Sequence, residues 1–196
     1  MTAGLGVLRT PLCERLGIGL PIISAGMGPI AGPDLVAAVS NAGGLGVLGC
    51  TSMSAGEVRN VIRRTRELTD RPFGVDLILP ARLEQSGVRA RDIAEQIPAE
   101  HWDFANRIAQ ELGVETPAAS ARAVGGERNA LGTDAEAQIT VVLEEQVPVF
   151  VGALGTPAPY AERLHDAGTF VMSVVGSTKQ AVQVARDGAD AVIAQG

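Results

Sequence analysis

The chain has 196 residues, 46% of them hydrophobic and 3% aromatic, with 24 glycines, so it has enough apolar material for a substantial core built on tight turns and small-residue packing. A net charge of −6 gives no electrostatic footprint for nucleic acid or an anionic membrane. Cys13 and Cys50 have no CxxC spacing, and His101 and His165 stand far apart and beside neither cysteine, so no metal site is expected.

Arg9, Glu14 and Arg15 break the apolar run a signal peptide would need. The longest weakly polar stretch, Leu35 to Cys50, is interrupted by Ser40, Asn41 and several glycines, so no membrane span is expected. These features point to the cytoplasm. Both cysteines are expected as small core residues.

In chain order, the first apolar run, Pro21 to Ala25, predicts a strand, and Pro33 to Asn41 a helix. Pro33 suits a first helical turn, and Asp34 beside it complements the helix dipole. "SNAGGLGVLGC" then shows a helix ending on small residues and glycine, with an apolar strand, Gly44 to Gly49, following at once. Ser54 and Glu57 have capping-box spacing for a helix over Ser54 to Leu68. Arg59, Arg63, Arg64 and Arg66 on that helix, near Glu57 and Glu67, read as a solvated face. Phe73 to Leu79 is the third predicted strand.

The rhythm then fails. Residues Ala81 to Ala137 are polar and too long for one crossover, so they read as an insertion within a single domain over 1–196. Helices are predicted over Ala99 to Gly113 and Asp134 to Gln146, with a glycine-containing loop between them. His101 and Trp102 inside the insertion read as surface or packing residues. The alternation resumes with strands Val147 to Ala153, Thr169 to Val175 and Ala189 to Ala194, and helices Pro157 to Ala167 and Thr178 to Asp187. Ser177 or Thr178 is the expected cap of the last helix. Gly168 and Gly188 are the length of one βα unit apart. The fold class is therefore α/β with about six parallel strands. Pattern alone allows an open doubly wound sheet or an incomplete (β/α)8 barrel, which takes about 250 residues when whole.

Four clusters fall at predicted C-terminal strand ends, where such folds place ligands. "SAGMGPIAGP" is a glycine-rich turn between strand and helix, and it is neither GxGxxG nor a Walker loop. Asp76 is a carboxylate between Val75 and Leu77, which must find a partner or compensation if buried. "GALGTPAP" is a second such turn. Gln195 and Gly196 end the last strand, and the Gln amide offers donor and acceptor to a heterocycle.

Together, "PIISAGM", "AAVSNAGGLGVLG", "RPFGVDLILP", "VPVFVGALG" and "GADAVIAQG" resemble the nitronate monooxygenases, formerly called 2-nitropropane dioxygenases, which share a fold with FMN-dependent enoyl-acyl-carrier-protein reductases. The resemblance implies an FMN-binding TIM barrel and a flavin-dependent monooxygenase. The reaction it implies is oxidative denitrification of an alkyl nitronate by O2 to a carbonyl compound and nitrite. An enoyl reductase, or a non-catalytic fragment of either enzyme, is the alternative. It also implies cofactor contacts at Ala25, Gly26, Met27, Asp76, Gln195 and Gly196. Pro commonly replaces Gly26 in the family, and Asn often replaces Asp76. The family's catalytic His follows the Gln-Gly pair, beyond Gly196, so this chain is expected to correspond to the N-terminal three-quarters of such an enzyme. A six-strand arc would leave open edges, for which a homo-oligomer is one expected cover.

Overall fold

The computed structural model describes residues 8–79, 95–114 and 134–195, and the chain divides into two compact units: Met1–Leu79 with Ala135–Gly196, and Pro80–Asp134. The first unit is built on five parallel strands, β1 (Gly46–Gly49), β2 (Phe73–Ile78), β3 (Val149–Ala153), β4 (Phe170–Val175) and β5 (Ala191–Ala194). They lie in sheet order β1-β2-β3-β4-β5. Its helices are α1 (Pro11–Leu16), α2 (Pro33–Asn41), α3 (Ala55–Leu68), α5 (Ala135–Glu144), α6 (Ala161–Asp166) and α7 (Thr178–Arg186); the second unit contains α4 (Ala99–Glu111). The loop expected between the helices at 99–113 and 134–146 lies at 116–133, outside the described residues, as does Gly196.

The strand order follows the sequence without reversal, so the described sheet has no topological switch point of the kind a doubly wound sheet carries. The described residues form an arc with edges at β1 and β5, not a closed barrel. At the β5 edge Val192 is 39% exposed.

Five strands form where six are expected. The run Pro21 to Ala25 is reduced to a single parallel bridge between Ile23 and Leu45. Ser24 N donates to Leu45 O at 2.9 Å, but the next rung runs from Val47 N to the Ser24 side chain, at 3.3 Å. A hydroxyl has taken the place of a ladder carbonyl, and the backbone beyond Ser24 is released from the sheet.

The strands alternate between two packed faces. Outward, Leu48, Phe73, Val75, Leu77, Phe150 and Val171 join Val58 and Ile62 of α3, Ile139 and Val142 of α5, and Leu164 of α6. Inward, Leu45, Val47, Val149, Val151 and Met172 cluster with Ile18 and with Cys13 and Leu16 of α1. Helix α1 is not among the expected elements: it is a single short turn, started by Pro11 and closed by Gly17 at φ 68°. Arg15 and Leu16 line a cleft with Pro72, Pro148 and Thr169, the residues that lead into β2, β3 and β4. The helix therefore stoppers the N-terminal end of the arc.

The expected capping box forms at α3, where Ser54 accepts from Glu57 N and Glu57 Oε2 accepts from Ser54 N at 2.6 Å. Ser177 caps α7. The arginine face of α3 is more than solvated charge. Arg59 and Arg63 reach Glu145 Oε1 at 3.0 and 2.9 Å, and Arg66 reaches Oε2 at 3.0 Å. Glu145, just past α5, is only 8% exposed. Burial opposes its ionisation, but the hydrogen bonds from Arg63 and Arg59 outweigh that and hold its carboxyl below the usual glutamate range. The sequence pattern misses this because the acid lies about 80 residues away along the chain.

Candidate functional site

The C-terminal ends of the strands carry the site. Released from the ladder, the loop from Ala25 to Gly28 folds across the ends of β1 and β2. A Cβ on Gly26 would lie 2.4 Å from Asp76 Cβ and 2.7 Å from its Oδ2. A Cβ on Gly49 would lie 2.3 Å from Gly28 N and 2.6 Å from the Met27 carbonyl carbon. Neither position has room for a side chain, so the glycines are required by close backbone approach. The loop's apolar side chains remain available, with Met27 51% exposed and Ile30 67%.

Asp76 sits on the inward face of β2, in register with Gly49 of β1 and Val151 of β3. Among the described residues its Oδ1 is buried without a hydrogen-bond partner. Burial with no compensating cation pushes its carboxyl up to about 7. Among the described residues no arginine partners it. Cys50, fully buried beside it, has its thiol pushed up to about 12, first by burial and then by the Asp76 charge. It is a neutral packing residue; the other free cysteine, Cys13, is buried against α1's own core cluster.

The segment after β1 is pinned from below by Gln138 of α5. Its Nε2 donates to the carbonyls of Cys50, Thr51 and Met53 at 3.2, 3.3 and 2.7 Å, and its side chain is fully buried. Sequence reasoning did not single out Gln138. The available signal was an amide between Ala137 and Ile139 on a largely apolar helix.

Gln195 lies elsewhere. Its N–H donates to Val175 O at 2.9 Å, and it lines a cleft of about 380 Å³ with Ala153, Gly155, Gly176 and Gln180. Strands β3 and β4 separate it from Asp76. The structure thus brings Ala25, Gly26, Met27 and Asp76 together at one end of the mouth and puts Gln195 at the other. The "GALGTPAP" turn stands between them. There Leu154 takes φ 53° and is 73% exposed, and Gly155 is pressed so close to the Leu79 carbonyl that no Cβ fits. A non-glycine residue held in that conformation marks a loop fixed by its surroundings.

His165 is at the opposite end of the sheet. Its Nε2 is 3.1 Å from Asp190 Oδ2, which also accepts from Val171 N, where β4 and β5 begin. His101 belongs to the second compact unit. Among the described residues no group of His, Cys, Asp and Glu could hold a metal ion, and no helix is long and apolar enough to cross a membrane.

Comparison with known proteins adds the chemical context. The family described as nitronate monooxygenase matches residues 9–196. A nitronate monooxygenase from Paraburkholderia phytofirmans is 34% identical over 191 residues, covering 96% of this chain and 48% of that protein. A (3aS,4S,5R,7aS)-5-hydroxy-7a-methyl-1-oxo-octahydro-1H-indene-4-carboxyl-CoA dehydrogenase from Rhodococcus jostii is 31% identical over 192 residues, covering 98% and 40%. Two solved structures resemble the fold: nitroalkane oxidase from Streptomyces ansochromogenes, with TM-score 0.67 and 32% identity over 95% of this chain and 48% of that one, and FabK from Thermotoga maritima, with 0.66 and 33% over 96% and 44%. The chain spans about half the length of the curated relatives it matches, or less, a smaller share than the three-quarters expected.

Proposed function

The chain belongs to the nitronate monooxygenase family, and from that premise we propose that it serves an FMN-dependent oxidation of alkyl nitronates to a carbonyl compound and nitrite. The observation that carries the reading is the junction of Gly26 and Asp76: a glycine loop laid on a half-buried carboxyl whose Oδ1 is buried without a partner, at the C-terminal end of a parallel arc. These residues fit a planar heterocycle. An exposed Met27 supplies an apolar surface for a ring, and Asp76 supplies a polar atom that the protein itself leaves unsatisfied. FMN, when bound, supplies the electron transfer with oxygen.

The chain's own residues would bind, orient and shield. Ala25, Gly26 and Met27 would lie along the ring, Asp76 at its edge and Gln195 across the mouth, and Gly196 is a further proposed contact. Cys50 is excluded as a nucleophile by its neutral thiol. His165 is excluded as the proton acceptor by its place at the far end of the sheet. A nitronate, already deprotonated, asks for no such base. The cytoplasm is the compartment consistent with two free thiols. A homo-oligomer that covers the β5 edge is part of the same proposal.

The likeness to FabK supports a second reading, a flavin-dependent enoyl reductase that uses a nicotinamide donor. One experiment separates the two. The purified chain is reconstituted with FMN and assayed for oxygen uptake and nitrite release with propionate 3-nitronate, beside NAD(P)H oxidation with an enoyl thioester. Nitrite release is the expected result. Nicotinamide oxidation alone would shift the assignment to the reductase branch, and the absence of both would defeat the catalytic reading of this chain.

A further inference from the structure

We infer that Asp76 meets the flavin as a neutral carboxylic acid that donates its proton to an acceptor on the ring edge, so that flavin binding takes up a proton from water at neutral and alkaline pH. The inference rests on the flavin reading above and adds the protonation state and polarity of one contact.

The geometry requires a choice. An ionised carboxylate spreads its charge over both oxygens, and here Oδ1 is buried with no donor in reach. Oδ2 faces the backbone of Gly26, where no side chain could be interposed. The register neighbours, Gly49 and Val151, bring no polar side chain. A proton on the carboxyl removes the uncompensated charge, and the free acid stays half-protonated at about pH 7.

Among the described residues, the surroundings contain little else that titrates. The loop Ser24–Pro33, β1 and β3 carry no Asp, Glu, His, Lys or Arg. The segment that follows β1 contributes Cys50, whose thiol stays neutral until about pH 12 and cannot exchange a proton with Asp76 in the physiological range. A ring placed over this end would displace the remaining solvent and make the ionised form costlier still. It would also offer what the protein withholds, a hydrogen-bond acceptor for the acid. Ionised, the same side chain could only accept, and its charge would oppose an electron-rich flavin.

The test is flavin binding by the whole chain, read without catalysis. FMN is titrated by fluorescence quenching from about pH 6 to 9, and the slope is read above pH 7, clear of the phosphate's own titration near 6. Wild-type affinity is expected to fall by up to about tenfold per pH unit once the free acid ionises, the slope of one linked proton. Asp76→Asn, which keeps a donor and has no proton to lose, is expected to bind with a flat profile. Calorimetry of the wild-type chain in two buffers of different ionisation enthalpy, at about pH 8, gives an independent reading and should show close to one proton taken up per flavin. Binding by the wild type with a flat profile and no proton uptake overturns the inference while leaving the flavin reading intact. Failure of both proteins to bind FMN at any pH overturns the flavin reading and this inference with it.

Discussion

Glu145, beyond the end of α5, and Asp76, in the middle of β2, are both carboxylates set against an apolar face, and the fold treats them in opposite ways. Glu145 receives three arginines from α3 and its carboxyl is held low. Asp76 receives none, one of its oxygens is orphaned, and its carboxyl is raised to about 7. The outer, helix-covered face surrounds its acid with guanidinium groups, although Gln138 Oε1 of α5 is also buried without a hydrogen-bond partner. The inner mouth leaves one polar group unmatched, at a strand end where the fold places ligands. The difference separates a structural acid from a candidate binding acid without reference to any relative.

Substitutions at the two acids should move stability in opposite directions. The largest effect is expected at Asp76. Its folded pKa lies above its unfolded value, so stability is fully present below about pH 4 and is lost progressively as pH rises towards 7. Asp76→Asn removes that loss and should stabilise the chain by roughly 2–4 kcal/mol at about pH 8, with little gain at about pH 4, by urea denaturation at both pH values. Glu145→Ala removes the acceptor that three guanidinium groups share and should cost about 2–3 kcal/mol at neutral pH. Because the Glu145 carboxyl is held low, its contribution is present above the ordinary glutamate range and lost as pH falls through the lowered value. Acid titration of wild type against Glu145→Gln should show that limb in the wild type only.

A third change sharpens the contrast from the backbone side. Gly49→Ala drives a Cβ into the Met27–Gly28 backbone, with no flexible side chain to yield, and should cost about 1–3 kcal/mol and displace the loop from Asp76. Thermal denaturation measures the cost, and a fall in the Asp76 pKa, followed by carboxyl NMR, reports the displacement. The smallest effect is expected far from either acid. Ser54→Ala removes the cap of α3 for about 1 kcal/mol and should leave both carboxyl titrations unchanged.

Much of the architecture is legible in the sequence because it is written locally. Pro33 at the start of α2, the Ser54 and Glu57 pair before α3, and Gly168 and Gly188 before β4 and β5 each act within a few residues of themselves. The strand over Pro21–Ala25 fails because the competing hydrogen bond, Val47 N to the Ser24 hydroxyl, joins residues 23 apart. Gln138 and Glu145 are equally distant from the carbonyls and arginines they serve, so composition cannot reveal their partners. At the site, the sequence marks Gly26 and Asp76 separately. Only the fold shows that they touch and that the acid has no counter-ion among the described residues. Gln195 and Asp76 are expected at one cofactor, and the strand order places two strands between them.

The most direct test of the account is FMN titration of the full chain beside Met27→Glu, at a slightly acid pH. Met27 is half exposed, so the substitution should leave the fold intact while setting a charge where the ring is expected to lie. Saturable one-to-one quenching by wild type, weakened at least about tenfold by Met27→Glu, is the predicted result. Quenching of equal strength in both proteins, or none in either, would contradict it.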